Sequence, residues 1–146
     1  MRLILLATNF MNAVDTNVLI YVHDPRDRIK QDTAIFLLDS LTDLALLWQV
    51  ACEYIAASRK LVAFGYDLKL ALEDVRDMRI AWKPILPDWT VHDRAEQLMD
   101  TYSLSFWDAM LVAACLGGGV TCLYSEDFDA YSNIEGLSLI NPFRTP

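Results

Sequence analysis

Short apolar runs alternate with longer segments of helical period along almost the whole chain, and this alternation leaves few folds open. The runs predict strands at Asn12-Ala13-Val14, Ala45 to Trp48, Pro84 to Leu86, Val120 to Tyr124 and Leu137 to Ile140. Between them, apolar residues recurring every three or four positions predict helices. These are a brief one over Val18 to His23, closed by Asp24-Pro25, then Asp27 to Leu41, and Val50 to Phe64 stopped by Gly65. Leu68 to Trp82 follows, then Val91 to Tyr102 with Thr90 as its cap, and Ser105 to Leu116 ended by Gly117-Gly118-Gly119. Strands alternating with helices build β-α units, hence a mostly parallel sheet covered on both faces.

The chain has 146 residues, about one domain by length, and no linker or repeat divides it. The expectation is a single domain over 1–146. Residues 1–10 are either a leader from an upstream start codon, with Met11 as the second, or an extra edge segment. Hydrophobic residues are 54% of the chain, which excludes intrinsic disorder. The apolar run Leu3 to Ala7 is short for a signal peptide. No run approaches the roughly 18 residues of a membrane span, so no transmembrane helix is expected. Cys52, Cys115 and Cys122 are odd in number, lack C-x-x-C spacing and lie in apolar stretches, the pattern of buried reduced thiols in a cytoplasmic protein. Lys and Arg number 12 against 20 Asp and Glu, a net charge of −8. Non-specific coating of nucleic acid needs a basic face, so action on a polyanion would need a local basic strip, a metal or a partner's charges.

In parallel sheets ligands sit outside the carboxyl ends of the strands. Four carboxylates fall there. Asp15 follows Val14, Glu53 lies just beyond the second strand in the first turn of its helix, Asp108 sits in the first turn of the apolar helix before the fourth strand, and Asp127, with Glu126, lies just past that strand. Asp15, Asp108 and Asp127 have no Lys or Arg within ten residues. Acids beside buried runs must find cations, hold protons or bind a divalent ion. Oxygen ligands suit Mg²⁺ or Mn²⁺, and such a centre activates water and clamps the oxygens of a phosphodiester. Taken singly, each acid reads as a helix cap, a first-turn charge or a turn residue. The four together favour a site.

Val14-Asp15-Thr16-Asn17-Val18-Leu19-Ile20 resembles the opening of a PIN-domain nuclease, whose first strand typically ends in Asp-Thr-Asn or Asp-Thr-Ser. Gln49-Val50-Ala51-Cys52-Glu53-Tyr54 is similar to that family's second acidic motif, and Ser105-Phe106-Trp107-Asp108-Ala109 to its third. Leu123-Tyr124-Ser125-Glu126-Asp127-Phe128 resembles the fourth, in which the hydroxyl-x-Asp pattern favours Asp127 over Glu126. The resemblance runs from about Met11 to Phe143 and is nearest to the VapC-type toxin branch. It implies a three-layer α/β/α sandwich with a mostly parallel five-stranded sheet of order 3-2-1-4-5. It also implies a Mg²⁺- or Mn²⁺-dependent endoribonuclease. Asp15, Glu53, Asp108 and Asp127 would be the metal and catalytic carboxylates, with Thr16, Asn17 or Ser125 orienting ligands or water behind them. An RNA substrate, a small antitoxin protein and a homodimer are the implied partners.

Arg26, Arg28 and Lys30 stand near the expected mouth and read equally as phosphate grips or as a solvated helix start. Trp107 reads as either a wall of the site or core, and Trp48 as core. A catalytically silent PIN-like protein-binding module is the alternative reading. It does not require metal affinity.

Overall fold

The computed structural model describes residues 10–145, so the expectation for residues 1–10 lies, but for Phe10, outside the described residues. In chain order the elements are β1 (Asn12–Val14), α1 (Thr16–Val22), α2 (Arg28–Ser40), β2 (Leu44–Leu47) and α3 (Trp48–Ser58). A 3₁₀ segment (Arg59–Phe64) follows, then α4 (Leu68–Ala81), β3 (Lys83–Ile85), α5 (Trp89–Thr101) and α6 (Phe106–Gly118). The chain closes with β4 (Cys122–Tyr124), β5 (Asn133–Ile134) and β6 (Leu137–Ile140).

The sheet order is β3-β2-β1-β4-β6-β5. The first five strands of that order are parallel, with Asn12 opposite both Leu44 and Cys122, and they keep the expected 3-2-1-4-5 arrangement. The sixth strand is a correction. β5 pairs antiparallel with β6 through a tight turn at Glu135 and Gly136, both at positive φ.

The central strands are buried on both faces, which is why they read as unbroken apolar runs: Ala13, Val14, Ala45, Leu46 and Leu47 are all inside. β3 lies at the edge, where Pro84 costs no ladder bond. Helices cover the sheet in two groups. α1 packs on α2 and α3, and α3 on α4, while α5 packs on α6. In α6 five consecutive residues, Leu111 to Cys115, are buried. A helix apolar all round is a core helix. Among the described residues no helix is long and apolar enough to cross a membrane.

Several local expectations change. α3 starts at Trp48, so Trp48 is not the end of a buried strand but a helix residue, 53% exposed. The chain turns from β2 into α3 with no side-chain cap, so nothing in the sequence punctuates the boundary. Asp88, not Thr90, caps α5. It accepts the Val91 N–H at 3.1 Å, and the Thr90 hydroxyl donates to it. Cys115 and Cys122 are buried, but Cys52 is exposed, because it stands on the outer side of α3.

Candidate active site

The carboxyl ends of the parallel strands bring the acids to one edge. The Asp15 N–H donates to the Tyr124 carbonyl at 2.9 Å, tying the end of β1 to that of β4. Asp15 is only 5% exposed. It caps α1 by accepting the Thr16 N–H at 2.7 Å, and its other oxygen accepts the Ser125 hydroxyl at 2.7 Å. Burial pushes its carboxyl up from 3.8 to about 6; the bonds from Ser125 and Thr16 oppose the rise, while the charges of Asp127 and Glu53 add to it.

Glu53 is half-buried on α3. It accepts the Thr16 hydroxyl at 3.0 Å and the Gln49 amide at 3.0 Å. Gln49 also donates to the Trp107 carbonyl at 3.2 Å, which links α3 to the start of α6. Sequence reasoning missed Gln49. The signal was its place one helical turn before Glu53, where side chains at i and i+4 meet.

Asp127 accepts the Asn17 amide at 3.1 Å, and its own N–H donates to the Ser125 hydroxyl at 3.1 Å. Burial raises its carboxyl above the usual range; the Asn17 bond lowers it, and Asp108, Glu126 and Glu53 raise it further. Asp108 is held in the first turn of α6, where its N–H donates to the capping Ser105 hydroxyl at 3.2 Å. Its carboxylate accepts no hydrogen bond from the described residues.

Thr16, Asn17 and Ser125, expected to stand behind the acids, each bind a different one: Glu53, Asp127 and Asp15. The buried Oδ1 of Asn17 has no hydrogen-bond partner. Among the described residues none of the four acids pairs with Lys, Arg or His. Glu126 differs, being paired with Lys30 at 2.9 Å.

This donor set fits a hard divalent cation in chemistry, being all oxygen and without counter-charge. Its spacing is open, however. Among the described residues no three His, Cys, Asp or Glu side chains are grouped closely enough to hold a metal ion as they stand. A cavity of about 740 Å³ lies elsewhere, at the amino-terminal ends of the strands around Met11, Asp43 and Lys83. Among the described residues Asp43 is the one acid that lines it.

Other candidates are placed less centrally. Arg26 is turned onto Asp24, which it grips with two nitrogens at 2.9 and 2.8 Å, and it also lies over the Phe64 ring. Arg28 is exposed at the start of α2 and makes no ion pair among the described residues. Trp107, next to Asp108 in sequence, is 62% exposed and so is not a core residue.

A three-layer α/β/α protein with acids along the carboxyl edge of a 3-2-1-4 parallel sheet is the class that fold and site define. The family model of the PIN domain matches residues 13–136, and the chain belongs to the PIN domain family. Among solved structures it is similar to a toxin-antitoxin complex from Klebsiella pneumoniae. The TM-score is 0.67 at 18% identity, over 90% of this chain and 97% of that one. It is also similar to VapC20 of Mycobacterium tuberculosis, described as a sarcin-ricin loop cleaving toxin, with TM-score 0.64 at 18% identity over 81% and 91% of the two chains. A third is VapBC-1 from nontypeable Haemophilus influenzae, with TM-score 0.62 at 15% identity over 92% and 100%. At these identities the likeness is one of fold. No curated protein sequence matches the chain.

Proposed function

We propose that the chain is a Mg²⁺- or Mn²⁺-dependent endoribonuclease, a single-domain cytoplasmic toxin that pairs with a small antitoxin and works as a homodimer. The observation that carries this reading is the group of four acids at one edge with no basic side chain among the described residues on any of them, one of them held at about 6 by burial. A fold keeps such a costly arrangement where it serves a ligand of opposite charge. The fold it shares with a toxin described as cleaving the sarcin-ricin loop supports RNA as the substrate, and the toxin-antitoxin complexes support the partner.

In this reading Asp15, Glu53, Asp108 and Asp127 are the metal ligands, Asp127 feeling the charges of both Asp108 and Glu53. Ser125 and Thr16 fix the Asp15 oxygens, Thr16 and Gln49 fix those of Glu53, and Asn17 fixes Asp127. A bound divalent cation lowers the pKa of water and stabilises the charge that develops on a phosphodiester in transit to products. Trp107 and Arg28, exposed beside the acids and on α2, are the candidates for contact with the RNA.

The test uses protein freed of any partner by denaturation and refolding, incubated with total cellular RNA in Mg²⁺ or Mn²⁺ or in EDTA. Discrete cuts are expected from the unmodified chain with metal, and none in EDTA or from folded D15N or D108N. Cleavage retained by both variants contradicts the assignment. A silent protein-binding module is the second reading, favoured by the open spacing of the acids. It predicts an intact fold, no cuts and no Mn²⁺ binding.

A further inference from the structure

Glu126 sits beside Asp127 past the end of β4, yet among the described residues it is the one acid of this edge that pairs with a basic side chain. Tyr21 on α1 donates its hydroxyl to one oxygen at 2.7 Å. Lys30 on α2 donates to the other at 2.9 Å and to the Tyr21 hydroxyl at 3.1 Å. The Lys30 ammonium also lies 4.8 Å from the centre of the Tyr21 ring and 5.6 Å from that of Phe143, two rings that meet edge-on at 4.9 Å. The Lys30 and Glu126 side chains are 33% and 24% exposed, so solvent screens the pair less than one standing free on the surface.

Two neighbours in sequence thus have opposite surroundings. Asp127 receives only neutral donors, from Asn17, while Glu126 receives an ammonium and a hydroxyl from two different helices. Left free, Glu126 would add an uncompensated charge next to Asp127 and compete with it for any cation at the edge.

We propose that Lys30 and Tyr21 are positioning residues that hold Glu126 out of the acidic cluster, so that Asp127 alone serves as its fourth carboxylate. The inference rests on the metal-dependent reading above. Lys30 acts through Glu126 and not on the RNA. The basic group near the mouth is then used inside the protein: Arg26 on Asp24, and Lys30 on Glu126.

The test is a calorimetric Mn²⁺ titration of the full chain, run beside cleavage of total cellular RNA. K30M frees one oxygen of Glu126. It should bind Mn²⁺ about threefold tighter or more, because a further negative charge joins the edge, and should cleave more slowly. Y21F, which keeps the ion pair and the ring contacts, should shift both values the same way by less. K30R should keep the unmodified values. K30M/E126Q should return both to the unmodified values, since the charge that K30M releases is gone. Unchanged Mn²⁺ binding in K30M and Y21F overturns the inference alone, and so does a K30M defect that E126Q fails to reverse. Where K30M does not fold, Y21F alone decides. No Mn²⁺ binding by the unmodified chain overturns the metal-dependent reading, and this inference with it.

Discussion

At Asp15 the needs of folding and of chemistry conflict. Its oxygens cap α1 and receive Ser125, which favours the carboxylate, but its burial favours the neutral acid, and burial wins. The rise from 3.8 to about 6 corresponds to about 3 kcal/mol, at roughly 1.4 kcal/mol per unit. The sign follows from the direction. A carboxyl raised in the folded state contributes stability that is complete below about pH 4 and is lost as pH rises through about 6. Above that the metal-free protein carries a buried charge at a cost. D15N removes the charge and keeps a capping side chain, since Asn caps as well as Asp. In EDTA at pH 7.5 it should be more stable than the unmodified chain by up to about 3 kcal/mol in urea unfolding, and the gain should close towards pH 4. A less stable D15N at pH 7.5 would mean that Asp15 is held chiefly for its cap. Three of the four acids were legible by place, Asp15 and Asp127 following strands and Asp108 opening a helix; Glu53, expected in a first turn, stands in the second turn of α3 because that helix already starts at Trp48. The partners of the acids were not legible. Ser125 meets Asp15, and Lys30 meets Glu126, only through the crossovers of the sheet, across about a hundred residues of chain, and no local spacing encodes such pairs.

At the scale of elements, α6 carries the argument. It starts at Ser105, whose hydroxyl accepts the Asp108 N–H, so one hydrogen bond both caps the helix and fixes the backbone under an active-site candidate. S105A should cost about 1 kcal/mol in denaturant unfolding and slow cleavage beyond what lost stability explains. Equal loss of stability with unchanged cleavage would separate the cap from the aim of Asp108. Helices as long and periodic as α4, α5 and α6 were readable to within a few residues, and so were strands with continuous apolar runs. The misses have local causes. Leu46-Leu47-Trp48 is apolar throughout, so the passage from β2 to α3 leaves no mark. β5 is two residues long and buries only Ile134, too little to form a pattern. Asp88 and Thr90 are both good caps two residues apart, and only the geometry picks Asp88.

For the whole molecule, charge sets the constraint. The chain carries −8, four acids at the mouth of the sheet have no basic partner among the described residues, and two of the three basic residues near that mouth are spent on internal acids. An RNA backbone cannot approach such an edge unless the charge is offset. A cation at the carboxylates is therefore the first thing a polyanionic substrate would require here. The exposed Trp48, Leu86, Trp89 and Trp107 mark the same molecule as one with surface to cover, in keeping with the proposed protein partners. The most direct test of the central claim is a Mn²⁺ titration of the refolded, partner-free chain at pH 7.5, followed by calorimetry, with D15N and D108N alongside. Saturable binding by the unmodified chain, weakened about tenfold or more in both variants, is the predicted result. No binding, or equal binding by all three folded proteins, would contradict a metal centre built from these four acids.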